Sequence, residues 1–253
     1  MVTINYPSEK LIIGAIGGDM AGNDRFTGNT IFTVAVMDSL LNGRDYTGFL
    51  QAYGRKFPDQ SYGAGFMRWL RQEDPVPFNS WNNGAALRVS PIGLACRTLQ
   101  EVLDEAYNNA GVSHSHPDGI KGAQAVAAAV FLARNGRTKE EIRSYIESEF
   151  SYNLHKTIEE IRPGYYYDQS CQGSVPESII AFLDSTDYES AISLARSLEG
   201  SRNSIASITG GIAQAYYKDV PGQIVRNITE TLPPKLYEIV EEFSKTYPLS
   251  LFR

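Results

Sequence analysis

Cysteine, histidine and long apolar runs are scarce in this sequence. Of its 253 residues, two are cysteine and three are histidine, which excludes a disulfide-stapled scaffold and leaves few ligands for zinc. No stretch reaches the roughly 18 apolar residues of a membrane span. The first residues also lack the charged start and apolar run of a signal peptide. We therefore expect a cytoplasmic protein with no membrane partner, in which Cys96 and Cys171 are buried thiols.

An excess of basic charge is also missing. Lysine and arginine total 23 against 29 aspartate and glutamate residues, so the formal net charge is -6. The chain offers no broad positive field to a phosphate backbone, and we exclude nucleic acid as a partner. A small anion can still bind in a local pocket. Because no heptad seam or exposed apolar stripe stands out, the oligomeric state stays open.

A repeated helical pattern runs through the chain. Apolar residues recur with the 3.6-residue period over 31–41 and 94–106, while alternation of period two is nearly missing. The alanine-rich stretch 121–134 is almost uncharged, which predicts a central helix surrounded by others. Residues 235–243 predict a last amphipathic helix. Because no linker or repeat interrupts the pattern, we predict an all-α fold with residues 1–253 as a single domain.

Capping residues and prolines mark several helix starts. Thr138 followed by Glu141, and Thr186 followed by Glu189, each indicate a capping box ahead of an apolar-periodic run. Proline lacks the amide hydrogen that an interior turn must donate, so a first helical turn or a break between helices accepts it. On this basis we place helix starts or breaks at Pro176, Pro221, Pro233 and Pro234.

Glycine-rich and polar islands between the helices are the candidate binding segments, because irregular segments often carry function. In the islands 61–66 and 80–88, small residues precede a helix and leave backbone amides free to face an anion. Each is a candidate phosphate cradle, with an ordinary turn as the alternative. The residues that we select as ligand-binding are Ser61, Tyr62, Gly63, Ala64, Asn82, Asn83, Gly84, Ala85 and Arg88.

A third island contains two histidines, and an aromatic cluster follows later in the chain. His114 and His116 have no nearby cysteine or third histidine to complete a zinc site, so we expect their rings to hold backbone or a ligand, and we select His116. Tyr165, Tyr167 and Asp168 lie beside a polar turn, where aromatic rings can stack on a purine. Packing in the core explains the tyrosines equally well.

Taken in order, these segments resemble the ADP-ribosylglycohydrolase family over nearly the whole chain. The stretch 13–22 resembles the family's opening glycine-rich helix, with its Gly-Asp pair at Gly18 and Asp19. The stretches 81–91, 114–123 and 172–180 are also close to the family's sequence motifs. The resemblance implies a compact orthogonal bundle of helices. It also implies cleavage of the bond between ADP-ribose and a protein side chain or small acceptor, with two magnesium ions.

The two motifs that hold magnesium in that family are altered in this sequence. Its Thr-Asp-Asp-Thr motif aligns with residues 27–30, and its Gly-Gly-Asp-x-Asp-Thr motif with residues 199–204. Magnesium seeks anionic oxygen, and the four family carboxylates are replaced by Gly28, Asn29, Ser201 and Asn203. We therefore expect no magnesium cofactor. The altered positions that we expect to line the pocket are Thr27, Gly28, Asn29, Ser201, Asn203 and Ser204.

Three functions follow as hypotheses. The first is a catalytically inactive protein that binds ADP-ribose, or a cyclic or conjugated relative, with its diphosphate over the amides of 61–65 and 84–86. Its adenine would stack on Tyr62 or on the cluster at 165–167. The second is a hydrolase with altered, metal-poor chemistry and Asp24, Asp168 or His116 as general base. The third is a structural role, as in a lens crystallin that resembles the family.

Overall fold

A computed structural model describes residues 7, 10–23, 25–199 and 202–249. Within these ranges the chain forms helices and short turns, and extended pairing is limited to isolated bridges between Phe78 and His114 and between Asn82 and Ser170. The all-α prediction is confirmed. The helices are α1 (Gly14–Met20), α2 (Gly28–Leu41), α3 (Tyr46–Lys56), α4 (Ala64–Leu70), α5 (Ser90–Ala95), α6 (Leu99–Gly111), α7 (Pro117–Arg134), α8 (Lys139–Phe150), α9 (Ile158–Ile161), α10 (Val175–Asp184), α11 (Tyr188–Arg196), α12 (Arg202–Tyr217), α13 (Gly222–Thr231) and α14 (Pro234–Thr246).

Helix α7 is the central helix, as its alanine-rich sequence predicts. It packs against α5, α6, α8 and α12, and every side chain from 125 to 130 is fully buried. Small alanine side chains allow these neighbours to approach closely, so one helix can have apolar contacts on several sides. The buried apolar side chains around it form a continuous core.

The first predicted capping box is confirmed, and the second is wrong by one residue. At the start of α8, Thr138 Oγ1 accepts from the Glu141 amide and the Glu141 carboxylate accepts from the Thr138 amide. Helix α11 is instead capped by Asp187, whose carboxylate accepts from the Ser190 amide at 2.7 Å. Aspartate caps as well as threonine, and the Ser190 hydroxyl supplies the return bond to the Asp187 amide.

The continuous helix predicted over 94–106 is also wrong, because the chain breaks between α5 and α6. Arg134, at the end of α7, donates to the carbonyl oxygens of Leu94 and Cys96, which satisfies carbonyls that α5 leaves without helical partners. Thr98 then caps α6 by accepting from the Glu101 amide. The apolar period runs across this break, so periodicity alone gives no sign of it.

Prolines start the last helices at the predicted places. Pro176 lies in the first turn of α10, Pro221 is the N-cap of α13, and Pro234 opens α14 after Pro233. The last amphipathic helix, predicted over 235–243, is confirmed as α14. Of the helices in the described ranges, none combines the length and apolar character that crossing a bilayer requires.

The backbones of α1 and α12 pack directly against each other. A Cβ at Gly18 would overlap the carbonyl oxygen of Ala206, so only glycine allows this approach. The Gln214 side chain of α12 adds two bonds at the start of α1, since its Oε1 accepts from the Gly14 amide at 2.6 Å and its Nε2 donates to the Leu11 carbonyl at 2.6 Å. This packing places Asp19 of α1 beside the first turn of α2.

Candidate functional site

A cleft of about 860 Å³ opens between the first turn of α2, the segment before α4 and the segment before α5. Its volume falls within the range of small-molecule sites, roughly 300–1,000 Å³. The lining brings together residues that are distant in sequence. The predicted ligand-binding residues in it are Ser61, Tyr62, Gly63, Ala64, Asn82, Asn83, Gly84 and Arg88. The altered motif positions in it are Thr27, Gly28, Asn29 and Ser204.

Two further predicted positions, Ala85 and Asn203, stand apart from the lining. Ala85 is fully buried behind it. Asn203 accepts from the side chain of Asn23, a lining residue, at 3.4 Å. Ser201 lies outside the described residues, as does Asp24, which the sequence suggested as a general base.

His116 also lies outside the lining and caps a helix instead. Its Nδ1 accepts from the Asp118 amide at 3.2 Å, which makes it the N-cap of α7. Its ring meets the exposed ring of Trp81 edge to face, with centroids 5.8 Å apart. A ligand-binding role for His116 stays a prediction, since its Nδ1 serves the helix and its ring lies outside the lining.

The aromatic cluster at 165–168 is outside the lining too. The Tyr165 hydroxyl donates to the Gly173 carbonyl at 2.9 Å, and the Asp168 carboxylate accepts from the Ser170 amide at 2.7 Å. Tyr167 is largely exposed. Gln169, next in sequence, does line the cleft. Purine stacking on these tyrosines stays a prediction, and their observed contacts organise the turn that carries Gln169.

Several lining residues were not selected from the sequence. Phe32 and Phe66 pack with Tyr62 into an aromatic wall. The centroid of the Phe32 ring lies 5.0 Å from that of Tyr62 and 4.8 Å from that of Phe66. In the sequence they look like ordinary core positions of two helices. Arg25 adds an exposed positive charge to the lining.

Asp19 anchors the altered first motif. Its carboxylate is fully buried and accepts five hydrogen bonds, from the amide and hydroxyl of Thr27, the amide and hydroxyl of Thr30, and the side-chain amide of Asn29. A buried carboxylate needs such donors to offset its lost hydration. The motif 27–30 thus forms a cage of donors around Asp19, and Thr27 also caps α2.

The other altered position of this motif lies under an aromatic ring. A Cβ at Gly28 would be 2.7 Å from Cε1 of Tyr62, closer than real side chains approach. The ring is held there by the wall of Phe32 and Phe66 and by a bond of 2.9 Å from its hydroxyl to the Phe57 carbonyl. Position 28 therefore has no room for a longer side chain while Tyr62 keeps this place.

These groups do not fit a magnesium centre. Magnesium requires several anionic or neutral oxygens in octahedral geometry, whereas Asp19 is surrounded by hydrogen-bond donors, and Asn29 directs an NH₂ group to it. Elsewhere in the part of the chain that the structure describes, no three His, Cys, Asp or Glu side chains come together as a possible metal site.

A buried positive charge lies beneath the cleft. Arg88 is 1% exposed, and its guanidinium donates to Asn109 Oδ1 at 2.9 Å, to the Asn109 carbonyl at 2.7 Å and to Ser113 Oγ at 2.9 Å. These acceptors are neutral. Burial lowers the pKa of Arg88 to about 9, so the group stays charged at neutral pH. The lining therefore has a positive charge below it, which favours an anionic ligand.

His114 lies beside this arginine and is neutral. The ring is 3% exposed, and burial together with the charge of Arg88 lowers the pKa of His114 to about 3. It packs under Gly84, where a Cβ would be 3.6 Å from ring atoms Cε1 and Nε2. Of the two histidines in the third island, the one in the lining is thus His114, whose role the sequence left open.

Comparisons with known proteins match this chain to one family. The ADP-ribosylglycohydrolase family model matches residues 5–250. "ADP-ribosylhydrolase ARH3" of Bos taurus is 29% identical, over 76% of this chain and 70% of that protein. The Mus musculus protein of the same name is 27% identical, over 87% and 78%. "ADP-ribosylarginine hydrolase Tri1" of Pseudomonas putida is 28% identical, over 59% of this chain and 41% of that protein.

A solved structure has the same fold. It is described as an "ADP-ribosylglycohydrolase-related protein complex" and superposes with a TM-score of 0.74, covering 95% of this chain and 97% of that one. The two sequences are 19% identical. At this identity the likeness concerns the arrangement of the helices and not the chemistry of the cleft.

Proposed function

Because the chain belongs to the ADP-ribosylglycohydrolase family, as its motifs predicted, we propose that it binds an ADP-ribose-type nucleotide without magnesium and releases it unchanged. One observation carries the proposal. The buried Asp19 carboxylate is caged by five donors from residues 27–30. The neighbouring positions Gly28 and Asn29 supply no carboxylate, so the first motif serves the fold in place of a metal.

The charge of the cleft supports a diphosphate ligand. Four carboxylates without magnesium would repel a diphosphate, and two of these are replaced in the described lining by Gly28 and Asn29. Arg88 adds a buried positive charge below the same lining. We assign the backbone amides of 61–65 and 84–86 to the diphosphate, and the Tyr62 wall to the adenine side of the cleft.

Such a protein would sequester an ADP-ribose-derived signal or read ADP-ribosylated proteins. Both roles need a cleft that holds the nucleotide and spares its glycosidic bond. The ligand class comprises ADP-ribose, its cyclic forms and its conjugates, since all share an adenine, a ribose and a diphosphate.

Hydrolysis of an ADP-ribosyl bond is the second candidate, favoured by the names of the relatives. Of the bases that the sequence suggested, His116 and Asp168 lie outside the lining, and Asp24 lies outside the described residues. In the lining as described, the carboxylate is Asp59. Among the described residues, this exposed group is the candidate general base of a metal-poor hydrolase.

Calorimetric titration of the purified protein with ADP-ribose, cyclic ADP-ribose, NAD and AMP tests the proposal, once with magnesium and once with a chelator. Chromatography of the recovered ligand tells whether it was changed. We expect binding that ignores magnesium and returns intact ADP-ribose. Magnesium-dependent turnover contradicts the proposal. Failure to bind any of the four nucleotides favours the structural role.

A charge reversal at the cleft shows where binding occurs. Arg25→Glu places a negative charge in the lining, and Arg226→Glu makes the same change on the exposed face of α13, outside the lining. We expect the first variant to bind ADP-ribose at least about tenfold more weakly, because like charges repel in a partly enclosed cleft. The second should bind as the unmodified protein does.

A further inference from the structure

Three side chains beneath the cleft form one chain of hydrogen bonds. Arg88 Nη2 donates to Ser113 Oγ at 2.9 Å, and Ser113 Oγ lies 2.8 Å from His114 Nδ1. All three side chains are buried, so water does not compete for these bonds.

The guanidinium fixes the direction of both bonds. It can only donate, so the Ser113 oxygen accepts from Arg88. The buried Ser113 hydroxyl then needs an acceptor for its own proton, and His114 Nδ1 is the remaining partner that the structure gives it. The His114 ring is neutral because burial and Arg88 lower its pKa to about 3, so it has one proton. With Nδ1 accepting from Ser113, that proton is on Nε2.

The ring at the end of this chain supports the backbone that forms one side of the cleft. It packs under Gly84, where a Cβ would be 3.6 Å from Cε1 and Nε2, and is closed on its other side by Gly119, where a Cβ would be 3.2 Å from Cδ2. Gly84 lines the cleft beside Asn82 and Asn83. A rotated ring would lose its contact under Gly84 and shift this backbone.

We propose that Arg88, Ser113 and His114 are a positioning chain that sets the backbone of residues 82–84 for the ligand, with Ser113 selecting the tautomer of the imidazole. The identity of the ligand rests on the proposed function, whereas the chain is a property of the free protein. His114 is then a positioning residue and neither a base nor a metal ligand.

Nuclear magnetic resonance of the histidine rings tests the chain in the ligand-free protein. The sequence has three histidines, and His116→Gln and His155→Gln assign their signals. We expect His114 to carry its proton on Nε2 and to stay neutral from about pH 5 to pH 8. A proton on Nδ1, or a charged ring in that range, overturns the proposal without any variant of the chain itself.

Ser113→Ala removes the middle of the chain, and Ser115→Ala is its matched control on an exposed side chain two residues away. In Ser113→Ala we expect mixed tautomers, shifted backbone amide signals at 82–84 and about fivefold weaker ADP-ribose binding, the effect of one hydrogen bond. Ser113→Thr keeps the hydroxyl and should restore the Nε2 proton. Unchanged amide signals at 82–84 in folded Ser113→Ala overturn the positioning role.

The experiments give different results when the nucleotide assignment is wrong and when the positioning chain is wrong. If no ADP-ribose-type nucleotide binds, but the tautomer and the amide signals respond as expected, the positioning chain is supported and the nucleotide assignment is wrong. If ADP-ribose binds equally to the unmodified protein and to Ser113→Ala, the nucleotide assignment is supported and the chain plays no part in binding.

Discussion

The ring of Tyr62 lies across Gly28, leaving 2.7 Å between its Cε1 and the place of a Cβ. In the resembling family this position has a carboxylate. Here an aromatic ring, fixed by Phe32, Phe66 and the Phe57 carbonyl, takes the space in which such a side chain would begin. Restoring aspartate at position 28 therefore also requires moving Tyr62.

Gly28→Ala should lower the free energy of unfolding by about 1–3 kcal/mol, because the methyl group overlaps the Tyr62 ring. Combined with Tyr62→Ala, the same change should be neutral or stabilising, since alanine is the better helix former. Urea denaturation of the four proteins of this cycle measures the coupling. Gly222→Ala is the control, because Gly222 also opens a helix, but a Cβ there would meet only Arg226 Nη1, at an ordinary contact distance of 3.7 Å. Equal costs of Gly28→Ala in both backgrounds would contradict the clash.

Asp19→Asn should cost at least about 3 kcal/mol in the free energy of unfolding. Asparagine has nearly the same shape, but its NH₂ group would face donors from Thr27, Asn29 and Thr30, leaving buried groups unpaired. The midpoint of urea unfolding at constant slope measures the effect. Asp187→Asn is the control, as asparagine is an equally good cap at that exposed position. A loss at position 19 below about 1 kcal/mol would mean that the cage of donors does not hold the motif.

Glu177 should make the protein less stable as the pH rises. Burial, and next the charge of Asp168, raise the pKa of Glu177 to about 7, and its Oε2 is buried without a partner in the described structure. The folded state holds this proton more tightly than the unfolded chain. The contribution of this group is therefore complete below about pH 4.3 and is lost as the pH rises through about 7.

Glu177→Gln removes that dependence. Between about pH 5 and pH 8, the free energy of unfolding of the variant should therefore rise by about 2 kcal/mol relative to that of the unmodified protein. Unfolding by urea at both pH values measures the gain. Glu141→Gln serves as the contrast, because hydrogen bonds to the Thr138 amide and hydroxyl lower the pKa of Glu141. That change should destabilise at about pH 8. If the Glu177→Gln variant kept the pH profile of the unmodified protein, the assignment would be refuted.

Local chemistry made much of the fold predictable from the sequence. The helix over 121–134 and the Thr138 cap depend on residues within a few positions of one another, and both are confirmed. The break after α5 depends on Arg134, which reaches the Leu94 and Cys96 carbonyls from another helix. A pattern that repeats every 3.6 residues contains no information about such a distant donor.

The candidate site was predictable in its segments but less so in its individual side chains. Islands 61–66 and 80–88 come together at the cleft. In the third island, however, spacing of two residues cannot tell which histidine caps the helix and which turns under the cleft. His116 caps the helix, and His114 is buried under the cleft. The hydrogen bonds to Asp19 were equally unpredictable, because their donors lie in the stretch 27–30, which aligns with a magnesium-binding motif and gives no sign of a bond to Asp19.

The packing of α1 on α12 also decides when the cleft can form during synthesis. Gly14 and Gln214 bond across 200 residues of chain, and Gly18 needs the Ala206 backbone beside it. Until the ribosome has released α12, α1 has no surface to pack against, and Asp19 has no fixed position beside α2. Nascent chains that end before α12 should therefore lack the cleft, even though most of its lining has already been made.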